Sequence, residues 1–94
     1  MYYRITTFTF DADREDEVLA VAHNATDKLT AIAGIQSGVI VRVSPGKTIT
    51  IASYDTQESA VAAQPQIQAI LGQLASMLTA PPEVQEGPVL LDFF

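Results

Sequence analysis

The stretch "GIQSGVIVRVSPGKTITIASYDT", Gly34–Thr56, is the one whose reading decides the fold. Runs rich in β-branched residues flank Pro45-Gly46, a dipeptide that marks a turn, so the stretch reads as a β-hairpin. Before the turn, Val39, Val41 and Val43 point one way and Ile40 and Arg42 the other. After it, Ile49 and Ile51 alternate with Thr48, Thr50, Ala52 and Tyr54. A two-residue loop at Pro45-Gly46 pairs Val43 with Thr48 and sets the valines beside the threonines. A three-residue loop, Ser44–Gly46, pairs Val43 with Lys47. It gathers Val39, Val41, Val43, Ile49 and Ile51 on one aliphatic face, fit to meet helices, and leaves Ile40, Arg42, Thr48, Thr50, Ala52 and Tyr54 on the other. A one-residue slip exchanges the two faces. The cleaner separation favours the three-residue loop, although proline is awkward at the second central position of a type I turn. The mixed face is then the expected pocket or dimer surface, with Arg42 its most telling residue.

Upstream, Tyr2–Phe10 is β-branched and aromatic with no breaker, which predicts a strand with no cleanly polar face. A helix follows from about Arg14 to Ala33. Asp13 is its expected N-cap, Glu15, Asp16 and Glu17 lie in the first turn where the helix dipole favours anions, and Gly34 is its stop. Its apolar stripe is Val18, Ala22, Ala25, Leu29 and Ile32. Downstream, Asp55–Glu58 reads as a capping box with Asp in place of Ser or Thr. Pro65 predicts a break in the second helix, whose stripe resumes at Ile67, Ile70, Leu71, Leu74 and Leu78. Ala80-Pro81-Pro82 ends it. "EVQEGPVLLDFF", Glu83–Phe94, reads as an irregular last strand interrupted at Gly87-Pro88.

The order β-α-β-β-α-β is that of the ferredoxin-like α+β fold, with a four-stranded antiparallel sheet, and residues 1–94 read as a single domain. Both helices then cover one face of the sheet. The other face should be polar if bare, yet the first and last strands carry apolar residues on both sides. A homodimer with sheets about 10 Å apart is the expected solution; the alternative is a monomer whose open face holds a large apolar ligand. The composition agrees, since 48% of residues are hydrophobic.

Charge and residue types narrow the function. The net charge is −6, with five basic and eleven acidic residues, so neither nucleic acid nor an anionic membrane is an expected partner. There is no cysteine, which removes thiolate nucleophiles and cysteine-based metal sites. The alternating start "MYYRITTFTF" does not read as a signal peptide. No apolar run approaches about 20 residues. A cytoplasmic location is the default expectation.

The pattern resembles the antibiotic biosynthesis monooxygenase-like family of the dimeric α/β-barrel superfamily. The resemblance rests on "ITTFTFDADREDEVL", then "LTAIAGIQSGVIVRV", then "TITIASYDTQESAVAA". It implies a homodimeric barrel with a pocket between sheet and helices. The implied activity is that of a cofactor-independent monooxygenase acting on a small aromatic or quinol-type substrate, with no cofactor and no metal. The haem-degrading branch of that superfamily uses an Asn on the first strand, a Trp at the end of the third and a His on the second helix. Here the first strand lacks Asn, Tyr54 stands nearest the Trp, and Gln64, Pro65 and Gln66 occupy the stretch of the His, so haem degradation is not expected. The rival reading is a non-catalytic small-ligand-binding or dimerisation module.

Few residues offer chemistry. His23 is the one side chain with an ordinary pKa near neutrality. It lies roughly 140° from the apolar stripe, so an edge position is expected, with a general base at the pocket rim as the sharper alternative. Asp27 is its one partner at helical spacing, too little for a metal. Arg42, in an otherwise apolar strand, requires a salt bridge or an anionic ligand, and Arg4 invites the same pair of readings. The weak catalytic candidates are therefore His23 and Arg42, and the pocket candidates are Arg42, Tyr54, Phe8 and Thr50.

Overall fold

The computed structural model describes Met1–Phe94. Its strands are β1 (Tyr2–Thr9), β2 (Ile35–Ser44), β3 (Lys47–Tyr54) and β4 (Glu83–Pro88), and its helices α1 (Glu15–Thr30), α2 (Gln57–Ala62) and α3 (Gln64–Leu74). The sheet order is β2-β3-β1-β4, antiparallel throughout. This is the ferredoxin-like βαββαβ arrangement. No helix is long and apolar enough to cross a membrane.

Local chemistry accounts for the element ends. Asp11, rather than Asp13, accepts a hydrogen bond from the Asp13 N–H and starts a 3₁₀ turn, Ala12–Arg14, that leads into α1. The helix stops at Thr30, short of the expected Ala33, and Gly34 turns the chain with φ +86°. At the next helix Thr56, rather than Asp55, is the cap, and its hydroxyl accepts from the Ser59 N–H at 3.1 Å. The expected break at Pro65 is present, and the proline sits in the first turn of α3, where its missing N–H does no harm. The last strand is shorter than expected. Pairing with β1 ends at Pro88, and beyond a bond from the Val89 N–H to the Met1 carbonyl Leu90, Leu91, Phe93 and Phe94 lie exposed.

The hairpin corrects the sequence reading in two ways. Ser44 faces Lys47, so the loop has two residues, not three; but Arg42 faces Thr48, which leaves Val43 as an extra, bulged residue. Pro45 holds φ negative and Gly46 takes φ +76°, the signs of a type II turn. Such a turn splays the strands, and the adjacent bulge re-aims β2. The face sets of the longer loop therefore occur together with the shorter one: Val39 faces Ile51, Val41 faces Ile49, and Ile40 faces Thr50.

The second correction is which set meets the helices. Tyr54, Thr50 and Thr48 face Tyr2, Thr6 and Phe8 of β1, and all of these but the half-buried Thr50 are buried on the helix side of the sheet. The aliphatic set, joined by Ile5, lies on the side away from them, where Val39 and Val41 remain exposed. Aromatic rings at both ends of β1 supply the volume the helices pack on, and the small side chains of β3 leave space between.

The core is consequently split. Tyr2, Ile32, Tyr54, Ala60 and Ala63 form one apolar cluster, and Phe8, Phe10, Val18 and Leu74 the other. Arg4 and Thr6, both buried, occupy the middle of β1 between them.

Candidate functional site

A cavity of about 610 Å³ lies between the sheet and the helices, a volume in the range of small-ligand sites. Thr6, Phe8, Thr50 and Ala52 form its floor; Leu19 and Ala22 of α1 and Ile67, Ile70, Leu71 and Leu74 of α3 form its walls. The run Gln36–Ile40 of β2, exposed throughout, forms the rim with His23 and Thr26 of α1. The apolar wall residues recur at helical spacing because the stripe that buries each helix also overhangs the gap between the two core clusters.

Of the expected pocket residues, the structure brings Phe8, Thr50 and Tyr54 together in the lining. Tyr54 has no accessible surface, so it stands behind the atoms a ligand would touch. His23 is exposed and sits at the rim. Arg42 is not in the lining. It forms a two-point ion pair with Glu15 at the start of α1, with Nε donating to Oε1 at 2.6 Å and Nη2 to Oε2. Arg42 sits near the hairpin end of β2, opposite the acidic first turn of α1, and reaches that carboxylate through solvent-exposed space. The bond holds the Glu15 carboxyl below the usual carboxylate range.

The charged residue in the cavity wall is Arg4. Its Nε donates to Glu86 Oε2 at 3.2 Å, its Nη1 to the Tyr54 hydroxyl at 3.3 Å and its Nη2 to the Ala60 carbonyl at 2.9 Å. The guanidinium carbon also lies 5.3 Å from the Tyr54 ring centre, within cation–π range. Glu86 accepts a second bond from the Tyr2 hydroxyl at 2.9 Å. Sequence reasoning gave Arg4 and Arg42 the same two readings, a salt bridge or an anionic ligand, and placed Arg42 in the pocket; Arg42 has the salt bridge, and Arg4 is the one that lines the cavity. The signal that separates them is the strand face: Arg4 interrupts the aromatic set Tyr2, Phe8 and Phe10, where a charge must be partnered.

The Tyr2 bond, helped by Arg4, outweighs burial and holds the Glu86 carboxyl below its ordinary value. The same bond, with burial, raises the Tyr2 phenol. A carboxylate with a lowered folded pKa stabilises the fold above its unfolded value, near pH 4.3, and that stabilisation is lost as pH falls through the folded value. Glu86→Gln should therefore be less stable than the parent at neutral pH, and the gap should shrink below about pH 4. Urea midpoints across that range measure it; a gap that stays constant would show that Glu86 is not linked to folding.

No three His, Asp or Glu side chains converge to hold a metal ion. The site thus combines an apolar cavity, a buried cation held by three acceptors, and hydroxyls from Thr6 and Thr50.

No protein-family model matches the sequence, and no curated protein matches it. Solved structures share its fold across the whole chain. A "putative antibiotic biosynthesis monooxygenase" from Nitrosomonas europaea superposes with a TM-score of 0.84 at 15% identity, over 97% of this chain and 100% of its own. A structure of the same description from Deinococcus radiodurans gives 0.85 at 9% identity, over 100% and 97%. A Nitrosomonas europaea protein of unknown function gives 0.82 at 12% identity, over 99% and 92%.

Proposed function

We propose that this chain is a cofactor-independent monooxygenase-like enzyme of the antibiotic biosynthesis monooxygenase type, acting on a small aromatic or quinol-type substrate. The observation that carries the reading is the cavity: about 610 Å³, walled by two apolar helix faces and floored by Phe8, Thr6 and Thr50. Several solved structures of this fold, those from Nitrosomonas europaea and Deinococcus radiodurans among them, carry the monooxygenase description. In this reading the cavity strips water from the substrate and favours reaction of its deprotonated form with O₂. Phe8 and Thr50 shape the pocket, and His23, at the rim, is the candidate base.

The working unit is a homodimer joined through the open sheet face, where Ile5, Ile49 and Ile51 meet the exposed Val39 and Val41. An apolar sheet face of this kind calls for a second layer. Sedimentation should give a dimer for the parent and a monomer for Val41→Glu; a monomeric parent would remove the dimer.

Oxygen uptake on a panel of quinols tests the activity. The parent should consume O₂ faster than the uncatalysed rate with at least one quinol, and Thr50→Phe, which fills the floor, should abolish the excess. A second reading, the non-catalytic small-ligand-binding module, draws on the deep wall, where the one charged residue is an arginine already bonded to three acceptors. Quinol binding without any O₂ uptake would select it.

A further inference from the structure

We propose that Arg4 is the ligand anchor of the cavity: an aromatic ligand bearing a negatively charged oxygen binds with that oxygen against the guanidinium, and Tyr54 and Glu86 are positioning residues that hold the guanidinium in place. The proposal rests on the reading above for ligand size and aromatic character and adds the residue that holds the ligand's charge.

Donor counting is the first argument. A guanidinium has five N–H groups and no acceptor. The protein uses three of them, one on each nitrogen. The two that remain are on the terminal nitrogens, in a residue that lines the cavity and retains 5% of its surface. No buried side-chain nitrogen is left without a partner, but each terminal nitrogen keeps a second N–H for an acceptor that enters the cavity.

Charge is the second. The chain carries −6 overall, yet no Asp, Glu or Lys lines the cavity, and Arg4 is its one permanent charge. Glu86 compensates that charge from the strand β4 side, with its side chain about one-third exposed. Inside a cavity of low dielectric a cation acts more strongly than on the surface. An acidic protein whose cavity is lined by one cation and no carboxylate discriminates in favour of anions there.

Placement is the third. Arg4 stands in the gap between the two apolar clusters, with Phe8 beyond it on the floor and Ile67 and Ile70 overhead. A ring fits against the apolar walls while its oxygen meets the guanidinium. A residue serving stability alone would fill that gap better as an apolar side chain, because buried ion pairs are often no more stabilising than a hydrophobic replacement.

The test compares 4-nitrophenol, at a pH above its own pKa, with 4-nitroanisole, its uncharged ether, by titration calorimetry on the full chain. The parent should bind the phenolate about tenfold more tightly or better, as expected for a hydrogen bond to a charged group. Tyr54→Phe removes only the hydroxyl that Nη1 holds and should narrow the ratio severalfold. Arg4→Lys keeps the charge without the fork and should narrow it too. Arg4→Met should erase it; should that variant fail to fold, the other two decide. Equal binding of both probes by the parent, no binding of either, or a ratio unmoved by Tyr54→Phe and Arg4→Lys would overturn the anchor. A phenolate preference without O₂ uptake would sink the oxygenase alone, and O₂ uptake with equal probe binding would sink the anchor alone.

Discussion

Arg4→Met should lower the unfolding free energy by about 3–4 kcal/mol, the lower part of the range for breaking one side of a buried ion pair. Methionine matches the length of the arginine stem but supplies no donor. Glu86 then loses the Nε bond, the Tyr54 hydroxyl loses Nη1, and the Ala60 carbonyl loses Nη2. Ala60 has no accessible surface and Tyr54 has none either, so water cannot replace those two bonds without opening the packing. Glu86 is partly exposed and water can reach it, which keeps the loss below the upper limit. Urea unfolding measures the effect. In a Glu86→Gln background the same substitution should cost less, since the orphaned charge is already gone. Arg42→Met serves as the contrast: the arginine of that ion pair is 62% exposed, against 6% for Arg4, so water can take over its bonds and the loss should be smaller. If the two arginine variants lost equal stability, the network around Arg4 would not be the structural centre described above.

Gly46→Ala should cost about 2–4 kcal/mol, of which about 1–2 is the left-handed conformation itself. Gly46 has φ +76°, and an added Cβ would run into the backbone carbonyl oxygen of Phe10. The clash is with backbone, and the Phe10 N–H is tied to the Gly46 carbonyl at 2.8 Å, which holds the two segments close. The hairpin tip is thereby stitched to the chain leaving β1. Gly34→Ala, also at a positive φ, would set its methyl 2.5 Å from the Ser59 Cβ, which no rotamer change moves, so its loss should be of similar size. Gly72→Ala, in α3 with nothing near the new methyl, should stabilise by about 0.5–1 kcal/mol. Thermal and urea midpoints of the three variants measure the losses; Gly46→Ala no worse than Gly72→Ala would show that the tip yields at little cost.

Much of the architecture was legible because it depends on local period and backbone chemistry. The alternation of Tyr2–Phe10, the stripe from Val18 to Ile32, the positive φ of Gly34 and the break at Pro65 all follow from neighbours within a few residues. The face of the hairpin did not. Its two sets were sorted correctly, but which one lies under the helices depends on Tyr54 meeting Tyr2 and Thr48 meeting Phe8, some forty or fifty residues away along the chain. The choice of Arg42 over Arg4 for the pocket failed for the same reason, since each is a lone cation in a strand and only the position of Glu15 and Glu86 in space tells them apart. The cavity is a matter of how far two helices stand from four strands, which no periodicity records. Phe8, Thr50 and Tyr54 were reached because they share the mixed face, even though that face was expected to point elsewhere.

The bulge at Val43 has a consequence for how this chain can change over generations. If Val43 were lost, Ser44 would still face Lys47 and Arg42 would still face Thr48, and no other side chain would trade sides. Loss of a residue further back in β2 could be absorbed by ironing out the same irregularity, confining the exchange to the few positions between. A codon can therefore vanish from or enter this end of the strand while Ile40, Thr50 and the rest of the cavity floor keep their places. The hairpin carries one residue of slack, and lineages are free to differ in length there without rewriting the ligand site.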